Sequence, residues 1–247
     1  MPSYNTARYI AESIRSVQAQ TYGNWELLIV DDCSTDDTDS VVAPFLTDAR
    51  IRYLKNEVNS GAAVSRNYAL REAKGRWIAF LDSDDLWAPE KLGRQILFME
   101  TRGYHFSYTC YEQINERSQP CGVTVRGPAH ITKAGMFRFC WPGCLTVMYD
   151  ASVVGQIQIA DIRKNNDYAM WLKVIQKCDC YYLDEVLAQY RVRQNSISHD
   201  KLKKLIRSHY DLFRIGEQMC SIPSFVLTCV NMVFGVLKKL LYVKRPK

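Results

Sequence analysis

Three carboxylates fall within four residues, at Asp82, Asp84 and Asp85, in the stretch AFLDSDDLW that begins at Ala79. Like charges packed this closely repel. A divalent cation relieves the repulsion by taking carboxylate oxygens as ligands. Mg²⁺ or Mn²⁺ held through one or two carboxylates draws its remaining ligands from phosphate and water, so a diphosphate is the natural partner. In isolation the same stretch also reads as a solvated turn whose Asp caps the next helix. A second acidic pair, Asp31 and Asp32, ends the apolar run LLIV. An Asp there accepts a hydrogen bond from a base N–H or a ribose hydroxyl, or closes an Asx-type turn onto Ser34 or Thr35. Asp167 stands near the start of a helical pattern, as a first-turn acid favoured by the helix dipole or as a general base. No Walker A or GxGxxG motif is present. That argues against a P-loop nucleotide triphosphatase and a standard dinucleotide dehydrogenase, and leaves a metal to neutralise phosphate charge.

The elements that must position these groups alternate. Ala7, Ile10, Ala11, Ile14 and Val17 share one face of a helix over 6–20, with Thr6 as its cap. WELLIV (25–30) reads as a buried strand, followed by a helix near 36–46 and a short strand RIRYL (50–54). A helix over 62–74 begins after Asn59, Ser60 and Gly61. RWIAFL (76–81) is the next strand, and a helix over 89–102 has Pro89 in its first turn. Strand–helix alternation implies an α/β fold with a parallel sheet and helices on both faces. In such sheets ligands bind at the carboxyl ends of strands, where both acidic clusters fall. Downstream, 106–114 and 144–149 read as strands, 165–176 as a helix, 180–192 as one or two strands, and 200–219 as a helix.

Composition bounds the partners. The 247 residues are 47% hydrophobic and 23% charged, as for one large globular domain or a domain with an appendage. Residues 201–247 hold ten Lys/Arg and two Asp/Glu, a net of +8, so of the total +6 residues 1–200 carry −2. A basic tail on a nearly neutral body suggests an anionic partner. The tail is also apolar, from Phe225 to Leu241, with Lys238, Lys239, Lys244 and Arg245 at its end. No run of 18 apolar residues spans a bilayer cleanly; the closest, Ile222 to Val243, is interrupted by Asn231, Lys238 and Lys239. A helix lying in or dipping into the cytoplasmic leaflet fits better than a buried core helix, making the membrane surface a partner of 222–247. Nucleic acid is excluded for want of an aromatic-interleaved groove. The nine cysteines lack zinc-finger spacing and read as reduced thiols of a cytoplasmic protein.

Together, PSYN (2–5), VDDCSTDDT (30–38), SRNYAL (65–70), GRWIAFLDSDDLW (75–87), NDYAMWLKV (166–174) and YRVRQNSIS (190–198) resemble the family 2 glycosyltransferases of the GT-A fold, bacterial surface-polysaccharide type. The resemblance implies a mixed, mainly parallel sheet. It divides 1–200 into a nucleotide-binding half, 1–102, and an acceptor half, 103–200, followed by the helical tail. Pro2, Tyr4 and Asn5 would border the nucleotide, with Tyr4 against the base. Asp32 would contact the base, with Asp31 nearby. Asp84 would lie at the ribose and, with Asp85, at Mn²⁺ or Mg²⁺, with Asp82 in support. Arg66 would lie near the diphosphate, and Arg191 or Arg193 would close over it. Asp167 would be the base of an inverting transfer from a nucleotide sugar, a UDP-sugar, to a hydroxyl of a glycan or lipid-linked acceptor. Asn166 replaces the usual Glu, and Cys33 replaces a usual Gly, a poor exchange if φ is positive there. The family's strand before PSYN has no counterpart, since Met1 and Pro2 are too few. A start codon placed inside the protein is the simplest account. The other is a truncated, non-catalytic protein that binds sugar nucleotides or a membrane.

Overall fold

The computed structural model describes residues 1–193 and 202–244. Residues 194–198 of the YRVRQNSIS segment, the start of the helix expected from 200, and Arg245 lie outside them. Ile10, Ile14 and Val17 are buried at helical spacing and fix α1 (Ile10–Gln18). Thr6 does not cap it through its side chain. Its carbonyl takes the amides of Tyr9 and Ile10, while its hydroxyl meets Ser3 Oγ at 2.9 Å.

A two-residue strand, β1 (Pro2–Ser3), runs parallel to β2 (Leu27–Asp31), with Pro2 opposite Val30. All five residues of β2 are buried, as a strand covered on both faces requires. α2 (Thr38–Val42) is shorter than its pattern suggests, because Pro44 carries the chain into a 3₁₀ turn, Ala43–Thr47. β3 (Ile51–Lys55) pairs parallel with β2 and completes the first sheet, β1-β2-β3. α3 (Ala62–Glu72), β4 (Trp77–Ala79), the short β5 (Leu86–Trp87) and α4 (Lys91–Arg102) follow. α4 stops at Gly103, which takes the left-handed conformation that glycine adopts without strain.

The second sheet is built around β6 (Phe106–Ile114) and β10 (Cys180–Arg191), which pair parallel. Its flanks are antiparallel: β7 (Pro120–Val125) and β9 (Met148–Asp150) on β6, β8 (His130–Ile131) and β5 on β10, and β9 on β4. Parallel pairing therefore holds for the first sheet and the central pair but not for these flanks. α5 (Lys133–Arg138), α6 (Ala151–Val154) and α7 (Asn166–Val174) are set between the strands of this sheet in the chain. α8 (Leu202–Asp211) ends in a π-helical turn, Leu212–Gly216, and α9 (Ser221–Leu241) leads into β11 (Val243–Lys244), which adds to β7.

The first residues supply more strand than their number suggests. The Met1 amine donates to Leu28 O at 2.8 Å, continuing the β1 ladder. Beyond that point β2 and β4 are not paired. A cavity of about 600 Å³ separates them, walled by Leu28, Trp77, Phe80, Trp87 and Ile96. Two apolar clusters flank it. One joins α1, β2, β3 and α4; the other joins β6, β9 and α7 around the wholly buried Trp171.

Lys91 is also wholly buried. Its Nζ lies 4.2 Å from the Trp87 ring centroid and has no hydrogen-bond partner among the described residues. Burial pushes its ammonium down to about 7. The folded protein then binds fewer protons than the unfolded chain between that value and the ordinary lysine value of about 10.4, so stability rises with pH across that window. Below it the penalty is fully present. Lys91→Met should raise Tm most at about pH 6, and the gap should close near pH 10. Paired thermal melts across this range measure the effect.

Candidate active site

The amino-terminal edge is laced to the turn after β2. Asn5 Oδ1 accepts from Thr35 N at 2.8 Å, and Asn5 N donates to Ser34 Oγ at 2.9 Å. Asp36 Oδ2 accepts from Ala7 N at 3.0 Å. Pro2 stands opposite Val30 in the β1 ladder, with Met1 O and Ser3 O accepting from Val30 N and Asp32 N on either side. Tyr4 projects beside this edge, 49% exposed.

Asp31 closes the Asx-type turn: its carboxylate takes Ser34 N at 2.9 Å and Ser34 Oγ at 2.5 Å. Asp32 reaches a different segment. Its oxygens accept from Asn56 Nδ2 at 2.7 Å, Ser60 N at 2.8 Å and Gly61 N at 2.7 Å. It thereby fixes the loop that opens α3. Both carboxylates are buried. Between them and Ser34, Cys33 sits at φ 60°, so the position does require the left-handed region. The strain costs about 1–2 kcal/mol for a residue with a Cβ. The Cys33 thiol donates to Asn56 O at 3.1 Å.

The loop 82–85 follows β4. Asp85 N donates to Asp82 O at 3.1 Å, which closes the turn and sets the three carboxylates side by side. Each has its own arginine. Asp82 Oδ1 accepts from the buried Arg66 guanidinium. Asp84 Oδ2 pairs with Arg193 Nε at 2.7 Å. Asp85 Oδ1 takes the backbone N–H of Arg191 at 2.9 Å. Burial, then the Asp82 charge, pushes the Asp84 carboxyl up. Burial pushes Asp85 well up, with Asp84 and Asp82 adding to the effect.

The Arg191 guanidinium is committed within the protein. It donates to Asp84 O at 2.7 Å, Ser118 Oγ at 2.8 Å, Asn115 O at 3.3 Å and Glu12 Oε2 at 2.9 Å. It also lies 5.0 Å from the Tyr9 ring centroid. It ties the loop to α1 and to the β6–β7 hairpin. Sequence reasoning missed Glu12, Asn115 and Ser118 as supports of the site. Glu12 looks like any first-turn acid, and the hairpin residues carry no motif.

Arg66 is likewise committed. It donates to Asp82 on one side and to Asn166 Oδ1 on the other, and lies 3.6 Å from the Cys144 thiol. Asn166 opens α7 and is followed by Asp167, which is half-buried and accepts from Tyr168 N at 2.8 Å. Arg66 therefore brings the 82–85 loop and the start of α7 together. All nine cysteines are unpaired, and burial holds the Cys140, Cys144 and Cys180 thiols well above their ordinary range.

No three metal-ligating side chains converge as a cage among the described residues. The donor set available is the pair of half-buried Asp84 and buried Asp85, mutually repelling. That chemistry fits a hard divalent cation whose remaining ligands come from phosphate and water.

The family model for glycosyl transferase family 2 matches residues 1–142. The chain is 43% identical to the putative teichuronic acid biosynthesis glycosyltransferase TuaG of Bacillus subtilis, over 82% of this chain and 81% of TuaG. It is also 43% identical to the UDP-Glc:alpha-D-GlcNAc-diphosphoundecaprenol beta-1,3-glucosyltransferase WfgD of Escherichia coli, over 84% of this chain and 81% of WfgD. In fold it resembles residues 1–349 of S. aureus TarS solved with UDP-GlcNAc. The TM-score is 0.69 at 19% identity, covering 92% of this chain and 68% of that one. That likeness, with the two sheets and their covering helices, makes the architecture GT-A. On the family match and on its identity to two relatives, each covered over 81% of its length, the chain belongs to glycosyl transferase family 2.

Proposed function

We propose that the chain transfers a sugar from a UDP-sugar to a hydroxyl of a lipid-linked glycan, with inversion, during synthesis of a surface polysaccharide. The single observation that carries the reading is the Arg66 bridge. It holds Asp82 of the carboxylate loop and Asn166 beside Asp167 on one buried cation. The groups for a departing diphosphate and for an incoming hydroxyl thus share one rigid mount.

The roles follow from placement. Residues 1–102 form the donor half and 103–200 the acceptor half. Tyr4 is exposed beside buried Asp31 and Asp32, so its ring is free to stack on a base whose edge meets Asp32. Pro2 and Asn5 shape that rim. Asp84 serves the ribose and, with Asp85, Mn²⁺ or Mg²⁺; Asp82 anchors both through the turn. When bound, the metal would supply positive charge where the diphosphate departs. Arg193, free to leave Asp84 at that moment, turns to the diphosphate. Arg66 serves as a mount rather than a phosphate ligand. Asp167 takes the proton of the acceptor hydroxyl, whose oxygen attacks the anomeric carbon opposite the leaving group. One displacement inverts configuration and needs no covalent nucleophile. The names of relatives support the substrate class, since WfgD carries a UDP-Glc donor and a diphosphoundecaprenol acceptor in its description.

Asp85→Asn separates charge from shape, because the amide oxygen still accepts from Arg191 N. A carboxyl whose folded pKa is raised binds more protons folded than unfolded, so its ionised form weakens the fold as pH rises above about 3.9. The variant should therefore melt higher than wild type at neutral pH without metal. In calorimetry it should bind UDP in the presence of Mn²⁺ at least about tenfold more weakly, a loss of 1.4 kcal/mol. UDP binding that is metal-independent and unchanged by the substitution would refute the donor site.

Asp167→Asn should keep UDP affinity and lower kcat by about 10²–10⁴. Transfer from UDP-Glc, or from another UDP-sugar the enzyme accepts, measures it by mass spectrometry of the acceptor. Turnover at the wild-type rate would remove Asp167 from the mechanism.

A further inference from the structure

α9 turns its more apolar face outward. By length and composition it reaches across a bilayer. Yet the stripe it turns toward the protein is mixed: Ser224, Thr228 and Asn231 are buried to 1% exposure or less, and Leu227 and Phe234 pack beside them against the core. Asn231 Nδ2 donates to Phe137 O at 3.1 Å, and Lys238 Nζ donates to Trp141 O at 2.7 Å. The opposite stripe is apolar and faces outward. Ile222 is 79% exposed, Phe225 61%, Val233 59%, Val236 58% and Leu240 73%. A core helix buries the reverse arrangement. A contiguous apolar face of this size is not left to water without a partner.

We infer that the outward face of α9 lies flat in the headgroup region of an anionic lipid leaflet. Three observations choose this occupant. The apolar stripe is flanked by exposed Lys239 and Lys244, and α8, packed on α9, exposes Leu202, Leu205 and Ile206 among Lys203, Lys204 and Arg207. Apolar side chains interleaved with lysine suit an anionic interface, where the rings and methyls enter the acyl boundary and the ammonium groups meet phosphates. A second copy is a poorer fit, because two tails of net +8 would be pressed together. A spanning helix is a poorer fit too. Crossing the bilayer would strip Asn231 and Lys238 from Phe137 and Trp141 and leave a buried charge in hydrocarbon.

The inward face has a consequence. It holds the segment 137–141, and Tyr168, next to Asp167, donates to Met136 O at 2.7 Å. Docking α9 therefore brings the acceptor-side wall to the leaflet. This last step rests on the proposed lipid-linked acceptor; the docking itself does not.

Flotation of the full chain with vesicles tests the surface without donor or acceptor. The chain should rise with vesicles of equal parts phosphatidylglycerol and phosphatidylcholine. It should rise far less with phosphatidylcholine alone, or with the mixed vesicles in high salt. The double substitution F225E/V236E should lower the floating fraction at least about tenfold, while keeping the wild-type circular dichroism melt and the wild-type transfer rate to a detergent-free soluble acceptor. As a second measurement, F225W should be quenched by brominated lipid in the mixed vesicles. Wild type that stays at the bottom with both vesicle types, with F225W unquenched, overturns the proposal. So does a wild-type dimer in sedimentation that F225E/V236E converts to monomer, since the face would then join two copies. Failure of transfer with flotation intact would count against the proposed reaction and not against this surface.

Discussion

A buried guanidinium can persist only where its charge is answered, and Arg66 is answered on two sides. Asp82 supplies the opposite charge and Asn166 a neutral acceptor. Asp82 keeps about a third of its side chain exposed, but Arg66 is buried, so removing the carboxylate leaves the cation buried without its charge partner. That penalty makes the pair a rigid strut rather than a surface contact. It locks α3 to the end of β4 and to the first turn of α7, three elements distant in sequence. Position 166 matters to this strut. A Glu there, as the resemblance leads one to expect, would draw the same guanidinium away from Asp82 and add negative charge beside Asp167. Asn accepts the hydrogen bond without competing for the charge.

The same reasoning explains how three carboxylates coexist on one turn. Asp82 is neutralised by Arg66. Asp84 is matched by Arg193 at the rim, where solvent screens the pair. Asp85 receives only a backbone N–H from Arg191, and its carboxyl is pushed up the furthest. The gradient runs from a fully paired acid to one whose charge is unanswered by any side chain. The turn survives because Arg191, committed to Glu12, Ser118 and the loop backbone, holds it from behind. A cation admitted at the end of that gradient would meet the least-compensated charge.

Much of this was legible in the residues. The alternation from α1 to α4, the helix over Asp167 and the positive φ at Cys33 follow from periodicity and from the family's pattern. What was not legible depends on tertiary pairing. β5, β8 and β11 are two residues long and have no period to read; they exist because β10 and β7 offer them an edge. β7 carries Gly122 at φ 70°, where its register with β6 shifts, so it has no clean alternation to read. The donors to Asp32 come from 56–61, and nothing at Asp32 itself points to them. The resemblance implied Arg66 near the diphosphate and Arg191 or Arg193 over it, but no motif announces the partners that hold Arg66 and Arg191 within the protein.

α9 shows where hydropathy patterning stops. The sequence places Ser224, Thr228 and Asn231 on one stripe and Phe225, Val233 and Val236 on another, and the stripes stay the same whichever faces the protein. A globular domain ordinarily turns its apolar stripe inward, since that removes hydrocarbon from water. Here hydrogen bonds share that choice with packing: Asn231 to Phe137 O and Lys238 to Trp141 O satisfy carbonyls at the end of α5 and in the chain beyond it, beside Leu227 and Phe234 on the core. Those contacts, with Leu227 and Phe234 against the core, fix which face of α9 turns inward and leave its most apolar stripe outside the packing of the described residues.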